Sequence, residues 1–462
     1  MRNTTAKKVE QCRMFFVDGK KFKTNALLGF FRVPLRRENA TKLALLAEVL
    51  QKGTEKYPSV TAVAAAGMRC CIYPKKQFGE KFAAVVVPFG SNDVCWEGEN
   101  SEKPIRFPLG VAHFIEHKLF QQSWGDALFQ FCKQGAAANA FTDGEKTVYY
   151  FSCRENFMKN LRLLLDFVQH PCFQEEDVEK EKSIIRSEIR MGKDDANRAA
   201  YETMVDLMYQ KHPVRFPVAG TEESVKNTTA EKMQKVYDAC YLPQKFWLIC
   251  AGDVDDHQIM EATALVQEKE STGKIVYCKE PDTIQERYRE IAMGLRRPVF
   301  QVGFKLEPGE RNLREKLAKE LLMDLWAGES SPFFLEAYEK DLLDAPLERM
   351  YSCGNGFAFC AFMGSGEQAE ETAELLLAHW KRLKQNGIDE NHFRRLQKKA
   401  VGQTLRLFQS ISAIGLTQIE LTPFDADLSD LFRLTKELHK KDLEKLLQNT
   451  IAQDKMVLSV MR

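Results

Sequence analysis

Histidine is scarce in this chain, with 8 in 462 residues. An excess of charge of one sign is also missing. Lys and Arg number 66 against 65 Asp and Glu, a formal net charge of +1. So balanced a chain offers no electrostatic footprint for nucleic acid, and the short pairs Lys7-Lys8 and Arg36-Arg37 read as solvated surface. No apolar run reaches the roughly 18 residues a membrane span needs. The opening MRNTTAKKVEQCRMFF lacks the apolar core of a secretory signal. The 12 cysteines are scattered without a C-x-x-C pair, which reads as reduced thiols in a cytoplasm.

What is present is a globular composition, 44% hydrophobic and 28% charged, at a length too great for one ordinary core. Two or more domains are therefore expected. Hydrophobic periodicity predicts a strand at 22–35 and a helix at 40–54, then strands in MRCCIYPKK and KFAAVVVPFGS. A helix begins near residue 110, and a second near Ser123 that stops at Gly135. ANAFTDGEKTVYYFSC reads as strand, turn at Asp143-Gly144, strand. Amphipathic helices follow, one of them over 178–191, and then a buried strand at 245–255. QEKESTGK (267–274) is the best linker. Beyond it lie the strands PVFQVGFKL and GNGFAFCAFMG and helices near 314–326, 368–385 and 390–410. Strands and helices without strict alternation predict an α+β fold. The similar size and content of the two halves make a duplicated domain plausible. The expected divisions are 1–66, 67–266 and 275–462.

The scarce histidines are not spread evenly. GVAHFIEHKLF (110–120) places His113 and His117 one helical turn apart on one face. Two imidazoles so spaced can reach one tetrahedral ion, and Glu116 is positioned as general base for a water that the metal activates. This is the order H-x-x-E-H. A chance occurrence is expected in roughly one chain in a hundred at ordinary residue frequencies. Three ionisable groups on a mostly apolar helix also need a partner, because burying them unpaired is costly. A third ligand is required, and Glu181 and Glu188 share a face of the helix at 178–191 with Ile184 and Ile185 between them. The assignment adopted is Glu188 as ligand and Glu181 as its support; spacing alone leaves open that Glu179 and Glu181 are simply solvated. The imidazoles favour zinc over hard cations, with exchange for cobalt or manganese possible.

These residues resemble the pitrilysin/insulinase-type inverzincin metallopeptidases. GVAHFIEHKLF, GAAANAFTDGEKTVYYF and VEKEKSIIRSEIRM stand in that family's order and at its approximate spacing, and the likeness covers most of 67–462. It is greatest to two-domain bacterial processing-protease-like members. The resemblance implies His113, His117 and Glu188 as ligands of one zinc per chain, Glu116 as base and Glu181 as its acidic support. It implies that Asn139, Ala140 and Phe141 bind an extended peptide along a strand edge. It also implies two homologous α+β domains, each a mixed, mostly antiparallel sheet covered by helices. Such a chain forms half of a clamshell chamber that admits unfolded peptides. The function expected is a cytoplasmic zinc endopeptidase. A non-catalytic assembly subunit of the same fold, or a subunit devoted to one peptide precursor, are the rivals.

Two departures stand out. Active members often carry an Arg in SSRLF and a Tyr some fifteen residues on. Here GESSPFFLEAYEKDLLDAPLERMY has Pro332 where the Arg belongs, with Tyr338, Arg349 and Tyr351 out of register. A paralogous partner chain, in a heterodimer, is expected to supply the missing pair; substitution by Arg349 and Tyr351 is the alternative. Secondly, residues 1–66 resemble the opening of a motif-less partner. Laid on the motif, Leu45 and Val49 replace the histidines and only Glu48 is retained. An ordinary extension with helical spacing accounts for this equally well.

Overall fold

The computed structural model describes residues 4–9, 12–17, 61–65, 67–76, 78–99, 103–264, 266–270, 273–449 and 451–462. The chain divides into two units, 1–57 and 58–462. In the first, β1 (Thr4–Val9) and β2 (Cys12–Val17) form an antiparallel hairpin that the hydrophobic pattern did not announce. The strand expected at 22–35 and the helix expected at 40–54, with the degenerate repeat built on them, lie outside the described residues.

The second unit holds two large sheets. The first contains β3 (Thr61–Ala65), β4 (Met68–Pro74) and β5 (Lys81–Val87). Next along the chain, β6 (Cys95–Gly98) and β7 (Ile105–Arg106) belong to a small side sheet, and β8 (Gln121–Gln122) and β9 (Gly125–Asp126) to a short hairpin. The hairpin β10 (Ala136–Thr142) and β11 (Thr147–Cys153), with β12 (Trp247–Gly252), completes the first sheet in the order β10-β11-β5-β12-β4-β3. Its outermost strand, β3, lies within the stretch read from sequence as an extension.

β13 (Gly273–Ile275) joins the side sheet. Then β14 (Tyr288–Ile291), β15 (Val299–Leu306), β16 (Glu348–Gly354), β17 (Phe357–Ser365) and β18 (Met456–Met461) form the second sheet, ordered β14-β18-β15-β17-β16. Five strands of the first sheet match the five of the second, and β3 is extra. Each has an edge hairpin, a central strand, a C-terminal strand and one parallel pair, β12 with β4 and β14 with β18. All other pairings in them are antiparallel. The mixed, mostly antiparallel α+β duplication is thus as expected.

Helices α1 (Val111–Leu119), α2 (Ala127–Lys133), α3 (Phe157–Gln169), α4 (Glu175–Asp194), α5 (Ala196–Met208), α6 (Glu222–Lys226), α7 (Ala230–Cys240) and α8 (Asp256–Thr263) belong to the first half. The second half carries α9 (Leu313–Ala327), α10 (Pro332–Glu339), α11 (Ala369–Asn386), α12 (Glu390–Leu407), α13 (Ile411–Leu421), α14 (Leu428–Glu437) and α15 (Lys440–Asn449). None of the described helices is long and apolar enough to cross a membrane. α2 starts at Ala127 and not near Ser123. Asp126 supplies the cap, its side chain accepting from the N–H of Phe129, and the residues before it form the β8–β9 turn.

β5 reads KFAAVVV because both of its faces are covered. Ala83, Val85 and Val87 pack with Phe114 and Ile115 of α1 and Leu161 and Leu164 of α3. Phe82, Ala84 and Val86 pack with Ile411, Ile414, Ile419 and Leu421 of α13. α13 therefore comes from the second half of the chain to cover the sheet of the first. The reverse also holds, since Met204, Val205, Leu207 and Met208 of α5 pack with Phe357, Phe359 and Ala361 of β17 and Val457 of β18. Each half lends a helix to the other's sheet. At about 1.5–3 kcal/mol for each large apolar side chain buried, these two faces are a substantial part of what joins the halves. Gly415 lets α13 approach, since a Cβ there would stand 2.2 Å from the Phe82 ring.

Candidate metal centre

α1 is aimed by the residue before it. Gly110 has φ 77°, the left-handed region, and a Cβ there would stand 2.2 Å from the Ala219 carbonyl oxygen. Only glycine suits both constraints. Val111, Ala112, Phe114, Ile115 and Leu119 are buried against the first sheet, which turns His113 and His117 outward toward α4.

α4 brings both carboxylates to them. Glu188 Oε2 lies 3.9 Å from His113 Nε2 and 3.6 Å from His117 Nε2. One ligand atom from each of His113, His117 and Glu188 falls within a group no wider than 4.8 Å. Glu181 Oε1 accepts from His117 Nδ1 at 3.0 Å, which fixes the tautomer and leaves Nε2 with its lone pair. Glu181 is only 6% exposed, so the solvated alternative does not hold for it. It does hold for Glu179, which lies at the surface and pairs with Lys182. Of the two isoleucines between the carboxylates, Ile185 is buried with them, whereas Ile184 is 50% exposed.

Two imidazole nitrogens, one carboxylate oxygen and an outer carboxylate on one imidazole form the donor set of a catalytic zinc site with a position left for water or substrate. The residues fit that ion. Burial, then the neighbouring His117, lowers the pKa of His113 to about 3, so it is neutral and ready to ligate. Burial pulls His117 down too, but its hydrogen bond with Glu181 and the charges of Glu188 and Glu116 outweigh it and hold the imidazole above its ordinary range. Glu181 is held below the carboxylate range by its bond to His117.

Glu116 is buried, and Thr142 Oγ1 donates to its Oε2 at 2.7 Å. Burial pushes its pKa up despite that bond and the nearby His117. Thr142 is the last residue of β10, an edge of the first sheet among the described residues. Ala140 and Phe141 line the same cavity as His113, Glu116 and Glu188. Asn139 stands one residue further along the edge, exposed, with its Oδ1 accepting the Ala140 N–H at 2.9 Å. The role of Thr142 was missed from sequence. Alternation places it on the inward face of β10 with Ala140, but nothing in the pattern tells which carboxylate it meets.

The cavity measures about 630 Å³ and is bounded by both halves of the 58–462 unit. The first half adds Arg198 and Tyr201 of α5, and the second Arg311, Lys316 and Tyr351. These were also missed, except Tyr351, which had been considered as a substitute for the absent substrate-binding pair. Arg349 is turned away and bound to Asp324 and the Leu347 carbonyl. Tyr338 is 61% exposed, and Pro332 occupies the first turn of α10 behind its cap, Ser331.

Comparison with known proteins bears on the family and the fold. The family model described as "Insulinase (Peptidase family M16)" matches residues 106–222, and that described as "Peptidase M16 inactive domain" matches 227–400. An uncharacterized zinc protease of Bacillus subtilis, YmfH, is 31% identical over 404 residues, which are 84% of this chain and 93% of the relative. The solved structure of a candidate M16-like peptidase from Alicyclobacillus acidocaldarius is 28% identical, with a TM-score of 0.82 over 87% of this chain and 98% of that one. A protease from Helicobacter pylori, 18% identical, shares the fold with a TM-score of 0.75 over 88% of this chain and all of its own.

Proposed function

The chain belongs to the insulinase (M16) family of peptidases, and on that premise we propose that it is a zinc-dependent endopeptidase of short or unfolded peptides. The observation that carries the reading is the meeting of His113, His117 and Glu188 within 4.8 Å, beside a buried Glu116, in a cavity fronted by a free strand edge. When bound, zinc supplies Lewis acidity, lowering the pKa of water and polarising the scissile carbonyl.

The chain's own residues do the rest. A peptide lies along the edge of β10 by main-chain pairing, with Ala140 and Phe141 beneath it and Asn139 at the rim. That mode reads backbone more than side chains, which suits a broad peptide substrate. Thr142 holds one oxygen of Glu116, so the other is free to take a proton from the attacking water. Glu116 then returns that proton to the leaving amine. Its raised pKa suits the task, because a carboxyl that binds a proton readily also delivers it near neutral pH. Glu181 keeps His117 in its ligating tautomer throughout.

The same proposal includes a reducing, cytoplasmic setting and a chamber completed by a paralogous partner chain. Pro332 in the first turn of α10 and Arg349 bound to Asp324 leave neither sequence position to offer the substrate-binding Arg, and the partner supplies it. The test is zinc content and cleavage of a quenched fluorescent peptide by wild type, His117→Ala and Glu116→Gln. Expected are about one zinc per chain in wild type and in Glu116→Gln, loss of zinc and of cleavage in His117→Ala, and cleavage lowered about 10²–10⁴-fold in Glu116→Gln. Zinc without cleavage by wild type alone, cured by adding the paralogue, bears out the partner. No zinc after reconstitution refutes the peptidase reading.

A further inference from the structure

Behind His117 lies a second polar layer that hydrolysis as described does not use. Lys118, the next residue on α1, is 0% exposed. An ammonium group is costly to bury and brings three donors that must be met. Nζ donates to Gln121 Oε1. Gln121, on β8, directs Nε2 to Glu181 Oε2 at 3.4 Å, and Glu181 Oε1 faces His117 Nδ1 at 3.0 Å. The amide of Gln121 has only one orientation that serves both neighbours, since lysine can only donate and a carboxylate can only accept. A directed chain thus runs from a buried cation through an amide and a carboxylate to the imidazole whose Nε2 faces Glu188.

We propose that Lys118 is a positioning residue for the metal centre: through Gln121 it holds Glu181 in the orientation that keeps a proton on His117 Nδ1 and leaves Nε2 free to bind the ion. The inference rests on the metal-site reading above. Two effects compete in it. A fixed cation near a dication is repulsive and by itself weakens metal binding. Correct orientation of an outer carboxylate typically strengthens it 10–100-fold. Lys118 reaches the ion only through three intervening side chains, Gln121, Glu181 and His117, whereas Glu181 touches a ligand, so orientation outweighs repulsion.

The experiment uses the full chain, with zinc dissociation constants from chelator competition and the melting temperature of the metal-free protein. The variants are Lys118→Met, which fills the same space without charge, and Gln121→Leu, which breaks the relay from a strand at the surface. Expected is zinc binding about tenfold weaker in both, with the metal-free Lys118→Met melting no lower than wild type. A lysine that merely fills the core, or one that acts by repulsion, would leave zinc affinity within twofold or tighten it, and either result overturns the proposal. Should Lys118→Met fail to fold, Gln121→Leu decides alone. A wild-type chain that binds no zinc would refute the metal site itself, a different outcome from wild type and variants binding alike.

Discussion

At the scale of the residue, the buried carboxylate of Glu116 opposes stability. Burial raises the pKa of Glu116, so between its unfolded and folded values the folded state binds more protons. Stability therefore falls as pH rises through that interval and stays lower above it. Above the ordinary carboxylate range Glu116 is therefore a net cost to the metal-free fold. Replacing it with glutamine removes the charge and keeps an oxygen for Thr142. Glu116→Gln is expected to raise the melting temperature of the metal-free protein at pH 7 while peptide cleavage falls by about 10²–10⁴-fold. The gain in melting temperature should vanish near pH 4, where wild type is protonated as well. Calorimetry across that range checks it; equal melting temperatures at pH 7 would count against the buried, perturbed carboxylate. Glu116 and both histidines were legible in the sequence because i, i+4 spacing is a local code. Thr142 was not, because its partner lies 26 positions away and only the fold brings them together.

At the scale of the element, β10 is the edge strand whose Ala140, Phe141 and Thr142 line the cavity. It is the edge of its sheet, and the N–H of Ala140 is met by the side chain of Asn139 instead of a neighbouring strand. Proline is tolerated where an edge N–H faces away from the ladder, so Ala140→Pro should fold with a melting temperature near that of wild type. It would also remove a donor that an incoming peptide needs. The expectation is a fall in kcat/KM of at least about tenfold, carried mainly by KM, with zinc affinity unchanged. Steady-state kinetics and metal titration on one preparation separate the two. The hairpin containing β10 was plain in the alternation and turn signal of ANAFTDGEKTVYYF. Its position at a sheet edge was implied by the family resemblance and not by the pattern, since strand order depends on pairings with β5 and β12 that lie far apart in the chain. The start of α2 was misplaced for a smaller reason: Ser123 and Asp126 are both good caps, and only the β8–β9 turn selects the second.

At the scale of the whole molecule, the sequence pattern suggested two halves joined at 267–274, and the structure holds two sheets with five corresponding strands each. The pattern gave no sign that the halves exchange helices. α5 and α13 escaped notice because the apolar faces that define them are buried against the opposite half, so no local feature marks their destination. That exchange predicts how the chain divides. A fragment ending at 269 would expose Met204, Val205, Leu207 and Met208 of α5, and a fragment starting at 270 would expose Ile411, Ile414, Ile419 and Leu421 of α13. Apolar faces of that size drive association. Each fragment alone should therefore aggregate or remain partly folded, and the pair expressed together should reassemble, bind zinc and cleave peptide. In the intact chain Gly415→Val, which forces a side chain into the Phe82 ring, should lower the melting temperature through the steric cost of overpacking, about 1–3 kcal/mol. The same substitution should abolish complementation between the fragments. A first-half fragment that is monomeric, cooperative in melting and able to bind zinc by itself would show that the exchanged helices are ornament, and that the metal centre needs only the half that carries its ligands.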